Sequence, residues 1–133
     1  MEKYTIFWFR RDLRVEDNHG FFRALSGKNK VIPIFIFDER ILKKLPKSDA
    51  RLEYITVALG TIDSAMKRNR CGLGMYHGTP EAIFKKIIET WPIEKVVCNE
   101  DYEPYARERD TAIATLLQTY NIPFETYKDQ VIC

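Results

Sequence analysis

Cysteine and histidine are sparse in this 133-residue sequence, and net charge is nearly absent. Each scarcity removes a class of function. The three cysteines, Cys71, Cys98 and Cys133, form no Cys-x-x-Cys pair, and only His19 and His77 could join them as ligands. No zinc or other metal site is expected, and buried thiols in a reducing cytosol are the plain reading. Lys+Arg 21 against Asp+Glu 19 leaves a formal charge of +2, far from the basic excess of a stand-alone nucleic-acid binder. No apolar run approaches membrane-spanning length, and Met1-Glu2-Lys3 leads straight into a strand-like segment rather than a signal peptide. A soluble, cytoplasmic protein with no membrane partner is the expectation. A P-loop motif is missing, and no serine sits in a nucleophile elbow. Gly72-Leu73-Gly74 with Gly78 misses the dinucleotide fingerprint, because its spacing is too long and it runs into a strand rather than out of one. No catalytic residue is assigned to this chain.

What is present is the pattern of one α/β domain. Hydrophobic residues make up 45% and charged residues 30%, ordinary for a globular chain long enough to bury a real core. Five short apolar runs read as strands: Tyr4–Phe9, Lys30–Phe37, Gly74–His77, Lys95–Asn99 and Phe124–Tyr127. The first, second and fourth are nearly continuous in apolar character, as strands buried on both faces require. Pro33 cannot donate to a ladder, so a bulge or interrupted pairing is expected there. Helical patterns fill the intervals. Asp17 or Asn18 caps a helix carrying Phe21, Phe22 and Leu25, and Asp49 caps a longer one with Leu52, Ile55, Leu59, Ile62 and Met66 inward. Thr79-Pro80-Glu81 opens a third with Ile83, Phe84, Ile87 and Ile88 on one face. The last runs from Pro104 to Tyr120, with Ala112, Ile113, Leu116 and Leu117 inward, and ends at Asn121. Trp8 belongs to the core, and Trp91 reads as a plug at a helix end. The alternation predicts a doubly wound, Rossmann-like parallel sheet of order 3-2-1-4-5 with helices on both faces.

In such sheets ligands bind beyond the carboxyl ends of the strands, where strand order reverses. That point lies between the first and fourth strands. The loops following them, Phe9-Arg10-Arg11-Asp12-Leu13-Arg14 and Asn99-Glu100-Asp101-Tyr102-Glu103-Pro104-Tyr105, concentrate polar and aromatic residues, with Asp38-Glu39-Arg40 alongside. Phe9, Leu13, Phe37 and Tyr102 are candidate walls for a planar ligand. Arg11, Asp12, Asp38, Asn99 and Glu103 are candidate polar anchors, and Arg10 or Arg51 could meet an acidic tail. The same text has a blander reading: Arg10, Arg11 and Arg14 beside Asp12, Glu16 and Asp17 suit loop-stabilising ion pairs, and Arg51 and Arg107 suit helix-to-loop ties. His19 and His77 read as turn or surface histidines, or as proton-transfer groups.

Trp8–Arg14 followed by Asp17-Asn18 resembles the opening signature of the photolyase/cryptochrome family. Val31–Asp38, Asp49-Ala50-Arg51 and Gly78-Thr79-Pro80 are similar to its second strand, its long helix and a later turn. Asn99–Tyr105 with Arg107, Arg109 and Asp110 is the most specific match, and it resembles the dimer photolyases more than the cryptochromes. The resemblance covers essentially the whole chain. It implies an N-terminal domain holding a light-harvesting antenna chromophore, with FAD and damaged DNA bound by a larger helical C-terminal domain beyond Cys133. In the full-length lyase, antenna excitation passes to reduced flavin, which donates an electron to split a cyclobutane pyrimidine dimer. This fragment alone would repair nothing.

Folate-binding members carry an Asn-Glu pair where this chain has Tyr105 and Ala106, so a flavin or deazaflavin, or an empty site, fits better than methenyltetrahydrofolate. Gly20 and Phe21 replace a common Ala-Leu, a change of packing rather than of chemistry. The competing readings are a cryptochrome photosensor and a stand-alone nucleotide-binding module of the universal-stress-protein type. The latter normally has a glycine-rich loop after its fourth strand, and Asn99–Tyr105 contains no glycine.

Overall fold

The computed structural model describes residues 2–10, 12–38, 40, 50–68 and 72–128. Among them the chain alternates β1 (Tyr4–Phe9), α1 (His19–Leu25), β2 (Lys30–Asp38), α2 (Ala50–Arg68), β3 (Gly74–Gly78), α3 (Pro80–Thr90), β4 (Ile93–Asn99), α4 (Pro104–Thr119) and β5 (Phe124–Tyr127). The strands form one sheet, parallel throughout, in the order β3-β2-β1-β4-β5. The expected architecture is the observed one.

The central strand shows why its run is continuously apolar. Ile6 and Trp8 face one core with Ile34, Phe84, Val96 and Ile113, while Phe7 and Phe9 face a second core with Phe21, Leu59, Ile62 and Val97. Alternate side chains go to opposite faces, and both faces are covered. Trp8 is 2% exposed, with Phe84 edge-on at 5.1 Å between ring centroids.

Pro33 needs no bulge. It pairs in register with Phe7 on β1, and pairing with β3 begins only at the next residue, Ile34 with Gly74. The irregularity lies elsewhere, between Tyr4 and Thr5 where β1 meets β4.

Three details of the helices differ from expectation. Phe22 and Leu25 are 67% and 56% exposed, since the short α1 buries only Gly20, Phe21 and Ala24. Ala112 is exposed, and the buried stripe of α4 is Ala106, Arg109, Ile113 and Leu117. Trp91 is not a sealed plug but a half-exposed C-cap whose N–H reaches the Ile87 carbonyl at 2.8 Å, with Tyr4 edge-on. Asn18 rather than Asp17 caps α1, its Oδ1 accepting from Phe21 N at 3.0 Å. Asp17 instead takes a positive φ of 49°. Asn121, at φ 57°, ends α4 as expected. Asp49, Cys71 and Cys133 lie outside the described residues. No described helix is long and apolar enough to cross a membrane.

Candidate functional site

The loop after β1 is folded on itself by Asp12. The buried Asp12 carboxylate accepts from Arg10 N at 2.8 Å through Oδ1, while its Oδ2 receives Asn99 Nδ2 at 2.5 Å. Asn99, at the end of β4, uses its whole amide. Nδ2 also donates to Asn18 Oδ1 at 2.6 Å, and Oδ1 accepts from Gly20 N at 2.8 Å. A Cβ on Gly20 would stand 2.5 Å from Asn99 Oδ1, so the missing side chain lets the amide close in. Asn18 Nδ2 in turn donates to the Arg14 carbonyl at 2.9 Å. The switch point between β1 and β4 is therefore bolted shut by buried, mutually satisfied polar groups.

Above this floor lies a layer of arginine on tryptophan. Arg10 pairs with Asp110 and with the Asn99 carbonyl, and its guanidinium stands 5.0 Å from the Trp8 ring. Arg109 stacks on the same ring at 4.9 Å. Its side chain is 8% exposed, with Nε 3.6 Å from Asp110 and Nη2 3.9 Å from Asp101. Both are in ion-pair range, yet neither nitrogen has a hydrogen-bond acceptor. Burial lowers the Arg109 pKa, and the neighbouring Arg10 charge lowers it further.

The third layer joins β2 to α4. Tyr105 Oη donates to Asp38 Oδ2 at 2.5 Å, and Asp38 Oδ1 accepts from Arg40 N at 2.9 Å. Arg40 also reaches Glu81 at 3.2 Å. The Tyr105 ring has Arg40 and Arg109 guanidiniums 5.6 and 5.9 Å from its centroid. Burial first, then the hydrogen bond to Asp38, pushes the Tyr105 phenol up to about 12. That value lies above the unfolded one near ~10, so the stability it contributes is whole below about pH 10 and is lost as pH climbs towards about 12. An ultraviolet titration of the tyrosines should find a late-ionising phenol that moves earlier in Asp38→Asn. Unchanged titration in that variant would remove Asp38 as the cause.

The candidate residues thus separate. Arg10, Asp12 and Asn99 come together, but as a buried network. Phe9 is fully buried against Phe7 and Phe21, and Leu13 packs partly on the same core. Phe37, half-buried, stacks on His77 at 6.1 Å. Tyr102 is 60% exposed, its hydroxyl 3.2 Å from Glu100, and Glu103 is exposed at the start of α4. Arg11 and the side chain of Arg51 lie outside the described residues. Arg109 entered the sequence reading only as part of the family-like stretch after Tyr105 and not as a candidate ligand contact, although its place in the buried stripe of α4 marks it. Cys98 is a buried thiol held at about 12 by burial. His19 begins α1 against Tyr127, with Nδ1 3.1 Å from the Lys128 carbonyl. No metal-holding group of three His, Cys, Asp or Glu side chains occurs among the described residues.

A doubly wound parallel sheet of this order, with its loops gathered over the switch point, defines the Rossmann-like class of α/β domains. Residues 5–133 match the DNA photolyase family model, and the chain belongs to that family as an N-terminal α/β domain. The deoxyribodipyrimidine photo-lyase of Synechococcus sp. is 31% identical over 127 residues, covering 96% of this chain and 26% of that protein. Cryptochrome-1 of Drosophila melanogaster is 30% identical over 126 residues, 90% of this chain and 23% of that one. The archaeal photolyase of Sulfolobus tokodaii, solved with two FAD molecules, superposes with a TM-score of 0.86 at 33% identity over 94% of this chain and 29% of that one. The chain therefore spans well under half the length of these relatives.

Proposed function

We propose that this domain holds a flavin-class antenna pigment in the crevice bounded by the end of β2, the start of α4 and the loop after β4. The full-length protein would be a photolyase that splits cyclobutane pyrimidine dimers, with FAD and DNA carried by a further, C-terminal domain. The carrying observation is Arg109: two buried guanidinium nitrogens without acceptors, Nε 3.6 Å from the Asp110 carboxylate and Nη2 3.9 Å from that of Asp101. A flavin or deazaflavin presents an imide edge, carbonyl–NH–carbonyl, that offers acceptors to such an arginine and a donor to such a carboxylate. Tyr105 is a flat wall at the same edge, and Phe37, Tyr102, Glu103, Arg11 and Arg51 remain candidate contacts. The residues present fit the pigment. When bound, it would supply near-ultraviolet or blue absorption and pass excitation onward, while the chain's own residues orient it and exclude water.

Two further points favour flavin over methenyltetrahydrofolate. Ala106 is buried and brings no carboxylate, and the 33%-identical Sulfolobus tokodaii photolyase was solved with two FAD molecules, with the implication of a novel light-harvesting cofactor. Titrating the purified chain into FAD or FMN should give saturable fluorescence anisotropy, with methenyltetrahydrofolate failing to compete. Saturable uptake of the folate and none of any flavin would overturn the reading. The cryptochrome reading keeps the support of the 30% identity to the Drosophila protein. Light-driven repair of dimer-containing DNA by the full-length protein would decide against it.

A further inference from the structure

We propose that the outward face of α2 is a contact between two copies of this chain, packed antiparallel about a two-fold axis at Gly60. The inference is independent of any pigment and rests on how α2 meets solvent.

A helix lying on a sheet normally sends charge outward, because only one stripe is needed for the core. α3 does so: Lys85, Lys86 and Glu89 are exposed, opposite buried Phe84 and Ile87. α2 does not. Its inner stripe is Leu59, Ile62 and Met66, all buried. On the opposite side stand Tyr54 and Val57, 67% and 70% exposed, followed by exposed Gly60, Thr61 and Ser64. Between Glu53 and Lys67 this outward stripe carries no charge. The Thr61 hydroxyl donates to the Val57 carbonyl at 3.2 Å and is spent within the helix.

The stripe is self-complementary. Tyr54, Val57, Thr61 and Ser64 alternate three and four residues apart, the spacing of a helix–helix seam. Laid antiparallel on a copy of itself, it sets Tyr54 opposite Ser64 and Val57 opposite Thr61. Glu53 and Lys67 lie two turns to either side of Gly60, so each meets the other's counterpart across the axis. Both are exposed, and the Lys67 side chain remains 71% exposed while its ammonium meets Asp63 at 3.1 Å. Charge also fixes the direction, since parallel packing would set Glu53 against Glu53 and Lys67 against Lys67. Gly60 stands at the crossing. A Cβ there would meet nothing within 4 Å, so the fold of one chain does not require a glycine that weakens the helix interior. A second helix at that point gives it a use, because two backbones can then approach closely. The stripe is short, which places the contact at the weak end of protein interfaces.

The test is sedimentation velocity on the chain, from micromolar to millimolar concentration. The expected result is a reversible monomer–dimer equilibrium, weakened about tenfold by Glu53→Lys or Lys67→Glu alone. An equimolar mixture of those two variants should recover the wild-type affinity, because each mixed pair regains both contacts between opposite charges. Val57→Lys, at a position too exposed to matter for folding, should abolish the dimer and leave the melting temperature unchanged. A monomer at every concentration would overturn the proposal. So would a dimer indifferent to all three substitutions, or a mixture no tighter than its components. A dimer of the chain that vanishes in the full-length protein would also overturn it, and would give this face of α2 to the further domain.

Discussion

Replacing Asn99 by alanine is expected to cost about 4 kcal/mol of folding stability, the sum of roughly 1–3 kcal/mol for each buried partner left unsatisfied. Gly20 N loses its acceptor outright and Asp12 Oδ2 keeps only Asn18 Nδ2 at 3.5 Å, while Asn18 Oδ1 retains Phe21 N at 3.0 Å. Asp12 and Asn18 are 9% and 4% exposed, so water cannot replace the lost bonds without opening the loops. A domain of this size is stable by only about 5–15 kcal/mol. The loss should therefore lower the melting temperature by roughly 10–20 °C, measured by circular dichroism on the purified variant. Asp12→Asn is the informative companion. It keeps an acceptor for Asn99 while removing the buried charge, so it should cost less than Asn99→Ala. If Asn99→Ala melts within a degree or two of wild type, the amide is not what binds the β1 loop to β4.

That network also marks how far the sequence can be read. The doubly wound sheet was legible because β1, β2 and β4 are apolar without alternation, the signature of strands covered on both faces. Local errors came where a helix is too short or too shallow to bury what its composition offers. Phe22 and Leu25 look like core residues, but α1 spans only His19–Leu25 and turns them outward. Loop chemistry was legible as a region and not as contacts. Asp12 and Asn99 were sensible ligand anchors by residue type, yet charge in a loop does not reveal which partner it faces, and here each faces the other. Phe9 was a candidate wall because it ends the strand, but the alternation of β1 sends it into the same core as Phe7. The opposite omission is Arg109. Spacing Ala106, Arg109, Ile113 and Leu117 on one face of α4 puts a guanidinium in a buried stripe, a signal present in the sequence and visible only once the helix is set on its sheet.

Arg109→Met should separate strut from ligand contact. As a strut, Arg109 is poorly employed: its Nε and Nη2 have no hydrogen-bond acceptor, and the Arg10 charge beside it lowers its pKa after burial has done so. The carboxylates it would abandon are not left alone. Asp110 keeps Arg10, and Asp101 keeps the Glu103 N–H at 3.2 Å. Methionine fills similar volume over Trp8 without a charge to desolvate, and such exchanges of buried ionic groups are often neutral or stabilising. The melting temperature should accordingly move little. Flavin affinity should not be spared. A hydrogen bond from a charged group is worth about 1.5–3 kcal/mol, so losing it should weaken FMN binding by roughly 10- to 100-fold. The reverse outcome, a large fall in stability with unchanged FMN affinity, would make Arg109 a structural tie between α4 and the β1 loop and move the pigment's polar edge away from it. Arg109→Lys sharpens the distinction. It restores charge but neither the planar fork nor the stacking on Trp8, so it should recover little affinity if the imide edge is read by the guanidinium.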